Sequence, residues 1–152
     1  MYFVNLIKEN YSDKKYDIFV DMDGVIADYD VGNPLDFFNK RPLNNNINVL
    51  KEISKLENIT LHILSICRKD SQIEEKNIWL DKYAPFFTNR NILSKETFAG
   101  VTSSDLKVNF LKNFKENNQT NIILIDDDNF IIKEVKKNIS DVILFQDSSL
   151  QD

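Results

Sequence analysis

The sequence is poor in several features that mark specialised classes of protein. It has one cysteine, Cys67, in 152 residues, so an internal disulfide is excluded and a reducing compartment is expected. No apolar run approaches the about 20 residues that span a bilayer. The N-terminal residues also lack the basic segment and long apolar segment of a secretory signal. We therefore expect a cytoplasmic protein with no membrane partner.

Positive charge is scarce as well. The chain has 19 lysines and arginines against 24 aspartates and glutamates, which gives a net charge of −5. Broad nucleic-acid binding relies on basic patches, so this balance disfavours it. A small anionic substrate stays possible, because a metal ion and a few local cations can reverse the field inside a cleft.

The chain has the size and apolar content of one globular domain. Hydrophobic residues make up 42% of its 152 residues, which is enough for a buried core. No internal repeat, low-complexity linker or shift in composition marks a boundary, so we predict one domain over residues 1–152. Within it, residues 1–16 are predicted to form an N-terminal extension, either a short helix or an added strand. Residues 29–45 are predicted to form a small flap.

Short apolar runs alternate with amphipathic stretches along the chain. Continuous apolar runs are typical of strands buried on both faces of a parallel sheet, and they lie at residues 18–20, 61–64, 122–125 and 142–145, with a weaker run at 91–93. Helical patterns lie at residues 47–56, 73–83, 106–114 and 130–135. This alternation predicts an α/β fold with a central, mainly parallel sheet flanked by helices.

Carboxylates follow two of the predicted strands. Asp21 and Asp23 follow the first strand, and Gly24 next to them permits a sharp turn. Asp126 and Asp127 end the third long apolar run. Ligands of such folds bind beyond the carboxyl ends of the strands, so these acids are expected to face one cleft. Clustered carboxylates shift their pKa values or capture a cation, and hard oxygen ligands favour Mg²⁺.

The same residues suit phosphoryl transfer, which needs an in-line nucleophile, charge neutralisation and positioning. Asp21 is the predicted nucleophile, which forms an aspartyl-phosphate, and Asp23 the predicted general acid and base. Lys107, near the start of a helix, is predicted to neutralise charge on the phosphate and the nucleophile. Asp126 completes the predicted metal site, with Asp127 in support. The residues predicted to bind the substrate phosphate are Ser65, Ile66, Arg68 and Lys107.

The order of these residues resembles a known family. Asp21-x-Asp23-Gly24, then Ser65, then Lys107, then Asp126-Asp127 is similar to the four motifs of the haloacid dehalogenase (HAD) superfamily of phosphatases. The resemblance extends over about residues 17–146. It implies a Rossmann-like core with a minimal cap or none, and it implies that Asp21 is the nucleophile. It also implies that Asp23 is the acid and base, with its backbone carbonyl on the Mg²⁺.

Two branches of the superfamily are similar to different stretches of the chain. Residues 21–29 and 76–80 resemble 5′(3′)-deoxyribonucleotidases, whereas residues 64–68 and 104–107 resemble the phosphatase domain of polynucleotide kinase-phosphatases. The first motif and the acidic charge favour a mononucleotide substrate. The short segment 29–45 cannot hold the larger helical cap of the deoxyribonucleotidases, which favours a nucleic-acid end. A non-catalytic binding module with this fold is the third alternative.

Several single residues have two interpretations. Lys95, after the weak strand, is the rival of Lys107 for the phosphate. Arg68 either grips a phosphate or is a solvated surface charge. Asp128 is a possible helix cap, and His62, inside an apolar strand, is expected to be packed in the core. Phe98, beside a glycine in a loop, is a candidate for stacking on a nucleobase.

Overall fold

The computed structural model describes residues 1–29 and 37–151. Over these ranges, helices and strands alternate along the chain. They are α1 (Tyr2–Asn10), β1 (Tyr16–Val20), α2 (Asn44–Ile53), β2 (Ile59–Cys67), α3 (Ser71–Tyr83), β3 (Asn89–Ser94), α4 (Ser103–Asn118), β4 (Asn121–Asp126), α5 (Asn129–Asn138), β5 (Ile143–Gln146) and a final 3₁₀ helix, η1 (Asp147–Leu150).

The strands form one parallel sheet in the order β3-β2-β1-β4-β5. β1 lies at the centre, and its Ile18, Phe19 and Val20 are fully buried. Ile18 and Val20 face a core shared with α1, α2 and α3, while Phe19 faces a second core shared with α4 and α5. The predicted α/β fold with a parallel sheet between helices is therefore confirmed, and the weak fifth run is the edge strand β3.

The second strand is longer than its apolar run. β2 continues to Cys67, because residues 64–67 pair in parallel register with residues 91–94 of β3. Ser65 and Ile66 therefore lie inside the strand, not beyond its end. Ser65 is small and fully buried, and its hydroxyl accepts a hydrogen bond from Lys76 at 2.6 Å. A polar residue whose hydrogen bond is satisfied does not end a buried strand.

The N-terminal extension is a helix for most of its length. Phe3, Val4 and Ile7 of α1 are buried in the first core, and the Phe3 ring packs edge-on against Phe145 at 5.1 Å between centroids. β1 already begins at Tyr16. None of the described helices combines the length and the hydropathy needed to cross a membrane.

The flap predicted for residues 29–45 overlaps the start of α2, which includes Asn44 and Asn45. α2 begins three residues before the apolar pattern, which starts at Ile47. Its third residue, Asn46, supports this earlier start, because it is buried and donates to the carbonyl of Val25 at 2.7 Å. Residues 30–36 of the predicted flap lie outside the described part of the chain. The rest of the flap is tied to the β1 turn by a bridge between Ala27 and Pro42.

Candidate active site

Three charged groups meet where β1 and β4 end. Asp21 directly follows β1, and its backbone N–H donates to the carbonyl of Ile125 at 3.0 Å. Asp126 is the last residue of β4. Lys107 of α4 lies between them, with Nζ 2.6 Å from Asp126 Oδ2 and 3.2 Å from Asp21 Oδ1. All three are buried, so these interactions are poorly screened by water.

Burial and neighbouring charges together set the pKa values of Asp21 and Lys107. Burial raises the pKa of Asp21 to about 8; Lys107 opposes the rise and Asp126 adds to it. Burial lowers the pKa of Lys107, but Asp21 and Asp126 together hold it above its ordinary value. Lys107 therefore stays cationic, and a further cation is needed before all of the clustered acids can ionise together.

The same acids form a cluster of suitable metal ligands. Asp21, Asp126 and Asp127 each offer a carboxylate oxygen, and these oxygens lie within 4.8 Å of one another. Asp126 is held by its second oxygen, which accepts from the backbone N–H of Asp128 at 3.0 Å. Hard oxygen donors close together match the preference of Mg²⁺. These residues therefore fit the predicted Mg²⁺, and Asp127 joins Asp21 and Asp126 as a third candidate carboxylate ligand.

Asp127 is held by Tyr29 and lies close to Gly24. Its Oδ2 accepts a hydrogen bond from the hydroxyl of Tyr29 at 2.6 Å. Burial raises the pKa of Asp127, Tyr29 opposes the rise, and neighbouring Asp126 adds to it. Gly24 approaches from the β1 turn with φ +80°, and a Cβ there would lie 2.1 Å from Asp127 Oδ2. Glycine is thus required at this position both by the left-handed backbone and by the carboxylate.

The carboxylate of Asp23 points to a different set of partners. Its Oδ1 lies 2.5 Å from Lys40 Nζ, and its Oδ2 lies 3.2 Å from Lys76 Nζ. Burial alone would raise the pKa of Asp23, but Lys76 and Lys40 hold it below its ordinary value. Resting Asp23 is therefore ionised. In this form it can accept a proton from water, whereas it must first be protonated to act as an acid.

Sequence reasoning did not identify the two lysines that hold Asp23. Lys76 is 3% exposed and also donates to Ser65 Oγ and to the carbonyl of Ile66. A signal for it existed, because position 76 falls on the apolar face of α3 with Ile73 and Leu80, where a lysine needs a buried partner.

Lys40 is the second of these lysines, and it is 5% exposed. Its backbone carbonyl accepts from the indole N–H of Trp79 at 2.9 Å. It belongs to the described end of the flap, and no pattern in the sequence distinguishes it from a surface lysine.

The other predicted phosphate ligands lie on the β2 side. Ser65 is bound to Lys76, and Ile66 is partly buried beside the cleft. Arg68 follows the end of β2 and is exposed. Lys95, the rival of Lys107, is also exposed, and it donates its backbone N–H to the carbonyl of Cys67.

The remaining alternatives are resolved by local contacts. Asp128 is the N-cap of α5, and its carboxylate accepts from the backbone N–H of Phe130 at 2.9 Å. His62 is packed, with its ring stacked on Phe19 and its Nε2 2.7 Å from Asp17 Oδ1. Phe98 is 42% exposed and borders a separate apolar hollow beside α4.

Two small cavities adjoin at Asp23. The first, of about 200 Å³, is lined by Asp21, Lys107, Asp127 and their neighbours. The second, of about 180 Å³, lies toward β2 and includes Lys40, Lys76 and Arg68. Both are also lined by Asp23, Tyr29 and Ile66. A larger hollow of about 530 Å³ lies away from these strand ends, between α5 and β5, and its only acid is Asp141.

No family model and no curated protein matches the sequence. Solved structures do match its fold. A chain of the Pnkp1/Rnl/Hen1 complex aligns with a TM-score of 0.70 at 16% identity, over 88% of this chain and 46% of that chain. The N-terminal part of the protein BF1531 from Bacteroides fragilis, which contains a phosphatase domain complexed with Mg, aligns with a TM-score of 0.61 at 12% identity.

The chain shares the fold of these two chains, the second of which contains a phosphatase domain complexed with Mg. The predicted resemblance is thus confirmed at the level of the fold. The second alignment covers 92% of this chain and 38% of the BF1531 chain, so the present chain spans less than half the length of either neighbour.

Proposed function

We propose that the chain is a Mg²⁺-dependent phosphomonoester hydrolase that works through an aspartyl-phosphate on Asp21. The arrangement of Lys107 carries this proposal, since its ammonium bridges Asp21 and Asp126 beside a cluster of three carboxylates. A lysine there can hold a phosphate oxygen and an ionised nucleophile together. The HAD-type fold, in which a neighbour is complexed with Mg, supports the same chemistry.

The proposed reaction divides nucleophile, proton transfer and metal binding among the aspartates of the cleft. A carboxylate oxygen of Asp21 forms a bond to phosphorus while the bond from phosphorus to the leaving oxygen breaks. Asp23, once it has taken up a proton from solvent, gives this proton to the leaving oxygen, then takes one from the water that hydrolyses the aspartyl-phosphate. Bound by Asp21, Asp126 and Asp127, with the Asp23 carbonyl as a further ligand, Mg²⁺ would neutralise charge on the phosphate oxygens. Because Lys40 and Lys76 favour ionised Asp23, the resting site has the general base needed for hydrolysis of the aspartyl-phosphate.

The test is turnover of p-nitrophenyl phosphate with Mg²⁺, with EDTA as the control. Asp21→Asn should abolish turnover, because a carboxamide cannot form the acyl-phosphate. Asp28→Asn is a matched control from the same segment, since Asp28 pairs with Arg41 at 2.5 Å outside the cluster. Wild-type turnover with EDTA equal to that with Mg²⁺ would contradict the metal role. No turnover by the folded wild type would favour the non-catalytic module.

We propose (deoxy)nucleoside monophosphates as the preferred substrates. The net charge of −5 supports this choice, because a long polyanion is repelled while a small one enters a locally cationic cleft. The alternative is a nucleic-acid end, favoured by a flap too short to form a large cap. The deciding measurement is kcat/KM at fixed salt for deoxynucleoside 5′- and 3′-monophosphates against a 3′-phosphorylated oligonucleotide. A preference of about tenfold for the oligonucleotide, or 1.4 kcal/mol in the barrier, would select the alternative.

A further inference from the structure

The two sides of the cleft are lined by side chains of opposite charge type, acids on one side and mostly cations on the other. The carboxylate cluster of Asp21, Asp126 and Asp127 lies over β1 and β4. On the opposite side, over β2, the smaller cavity is lined by three cations and only one acid. The cations are Lys40, Arg68 and Lys76, and the acid is Asp23, which leaves an excess of two positive charges in a chain whose net charge is −5.

The smaller cavity lies where a leaving group would go. Asp23, the proposed proton donor to the leaving oxygen, lines both cavities. A phosphate held against Asp21 and Lys107 would therefore direct its ester oxygen toward Asp23 and its alcohol portion toward the cavity beyond.

The buried lysines of this cavity are well placed for a second anion. Their Nζ atoms lie 4.9 Å (Lys40) and 5.0 Å (Lys76) from the centroid of the Phe37 ring, which excludes water from one side. Among the described residues, only Asp23 accepts a hydrogen bond from Lys40 Nζ. An ammonium has three donors, so within the described ranges two donors of Lys40 stay available for a ligand. Poor solvation strengthens the attraction between these charges and an anion.

Arg68 adds a cation at the exposed edge of the same cavity. Its backbone N–H is held by Gln72 Oε1 at 3.0 Å, which positions the loop after β2. No acid in the described ranges forms an ion pair with its guanidinium. A guanidinium fork matches the geometry of a phosphate group.

We propose that the β2-side cavity binds a second phosphate, carried by the leaving group of the substrate. The proposal rests on the proposed function. Within that function it replaces the preference for simple monophosphates: phosphomonoesters whose alcohol bears another phosphate a few bonds away should be hydrolysed better than nucleoside monophosphates. Two sources share this chemistry: a nucleoside 3′,5′-bisphosphate, and the phosphodiester adjoining a 3′-phosphorylated end.

The experiment compares kcat/KM for four substrates at fixed salt and Mg²⁺. They are deoxythymidine 3′,5′-bisphosphate, its 3′- and 5′-monophosphates, and the dinucleotide TpTp with a 3′-phosphate. A second phosphate should raise kcat/KM by about tenfold or more, mainly through KM, because charge-assisted hydrogen bonds contribute about 1.5–3 kcal/mol each. Preference for the bisphosphate over TpTp identifies a free phosphate as the ligand, and the reverse identifies a phosphodiester.

Arg68→Gln should reduce that preference by about threefold or more. Lys69→Gln is the matched control, since it removes one positive charge from the next residue, which does not line the cavity. Equal kcat/KM for substrates with one and two phosphates would overturn the proposal. Equal effects of the two variants would also overturn it, because the cavity would then act only through general charge.

A binding measurement distinguishes failure of the proposed hydrolysis from failure of the proposed second phosphate site. Asp21→Asn with Mg²⁺ cannot form the aspartyl-phosphate, so calorimetry can compare the affinities of the bisphosphate and the monophosphates without turnover. Tighter binding of the bisphosphate, weakened by Arg68→Gln in this background, supports the second site even if the wild type hydrolyses nothing. Equal affinities overturn the second site even if p-nitrophenyl phosphate is hydrolysed.

Discussion

Two aspartates of the cleft, Asp21 and Asp23, have opposite surroundings. Asp21 is buried beside other acids, and its pKa is raised to about 8. Asp23 is held by Lys40 and Lys76, and its pKa is lowered. Titratable groups whose environments separate their pKa values can divide acid, base and nucleophilic roles between them. Here the separation follows from the deep burial of Asp21 beside Asp126 and from the two ammonium groups that reach Asp23.

The first prediction at this scale concerns the lysine that serves the phosphate. Lys107→Ala should lower kcat/KM by about 10²–10³-fold, the typical loss when one group that stabilises the transition state is removed. Lys95→Ala is the matched control and should stay near the wild-type value, because Lys95 is exposed and lines neither cavity. A larger loss in the Lys95 variant would reverse the assignment.

The second prediction concerns Asp17, which is remote from the cleft. Burial would raise the pKa of Asp17, but hydrogen bonds from His62 and Thr120 hold it below its ordinary value. Asp17→Asn should therefore lower the free energy of unfolding at pH 7 by about 1.5–3 kcal/mol, as expected for hydrogen bonds to a charged group.

The sign of its pH dependence follows from the lowered pKa. The contribution of Asp17 is fully present above its unfolded pKa of 3.8 and is lost as pH falls through the lower folded pKa. Urea unfolding of wild type and Asp17→Asn at pH 7, 4 and 3 should show a difference that shrinks below pH 4. Asp141→Asn is the control, since its carboxylate pairs with Lys115 at the exposed surface and should matter little. An Asp17 effect that is constant with pH would contradict the ionic interpretation.

At the scale of elements, the cleft is assembled from both faces of the sheet. α4, on one face, contributes Lys107, and α3, on the other face, contributes Lys76. The flap contributes Lys40 and is fixed to α3 by the indole of Trp79 and by Phe37, whose ring lies 5.7 Å from the indole. The turn after β1 lies between these elements and carries both aspartates.

The turn gives a prediction at this scale. Gly24 and Gly100 both have positive φ, +80° and +83°, so alanine at either should cost about 1 kcal/mol in backbone strain. Gly24→Ala should also weaken Mg²⁺ binding, because its Cβ would displace the Asp127 carboxylate. Gly100→Ala is the matched control, since nothing lies within 4 Å of its Cβ position. Isothermal titration with Mg²⁺ on both variants is the measurement, and equal affinities would contradict the role of Gly24.

At the scale of the whole molecule, the metal and the fold are expected to be coupled. Burial keeps Asp21 protonated up to about pH 8, whereas its ordinary value is 3.8. Between these values the folded protein holds a proton that the unfolded chain has lost. Without metal, this group therefore makes the fold less stable as pH rises from about 4 to 8. A divalent cation should reverse the trend, because it favours the ionised carboxylates.

Thermal unfolding with and without Mg²⁺ tests this coupling. The melting temperature should rise with Mg²⁺, more at pH 8 than at pH 5, because binding releases the proton of Asp21. A ligand at 100 times its Kd adds about 2.7 kcal/mol to the free energy of unfolding. Asp126→Asn should reduce the effect, and sodium at matched ionic strength is the control. A Mg²⁺ effect that is equal at both pH values would contradict the raised pKa of Asp21.

Local patterns in the sequence were sufficient for the alternation of strands and helices. Runs such as residues 122–125 predict buried strands because a strand covered on both faces must be apolar throughout. The spacing of Asp21, Asp23 and Gly24, followed by Asp126 and Asp127, predicts acids at the carboxyl ends of neighbouring strands. These predictions depend only on residues close in the chain and on the general geometry of parallel sheets.

Only the tertiary structure decided which charges meet. Lys40 and Asp23 are 17 positions apart, and Lys76 and Asp23 are 53 apart, so no local pattern joins them. The length of β2, and hence the place of Ser65, depended on pairing with β3. Sequence determined the elements and the acids because their signals are local. The cationic side of the cleft depended on how helices and flap pack, because a local pattern can mark a lysine as buried, as at Lys76, but cannot show which acid it meets.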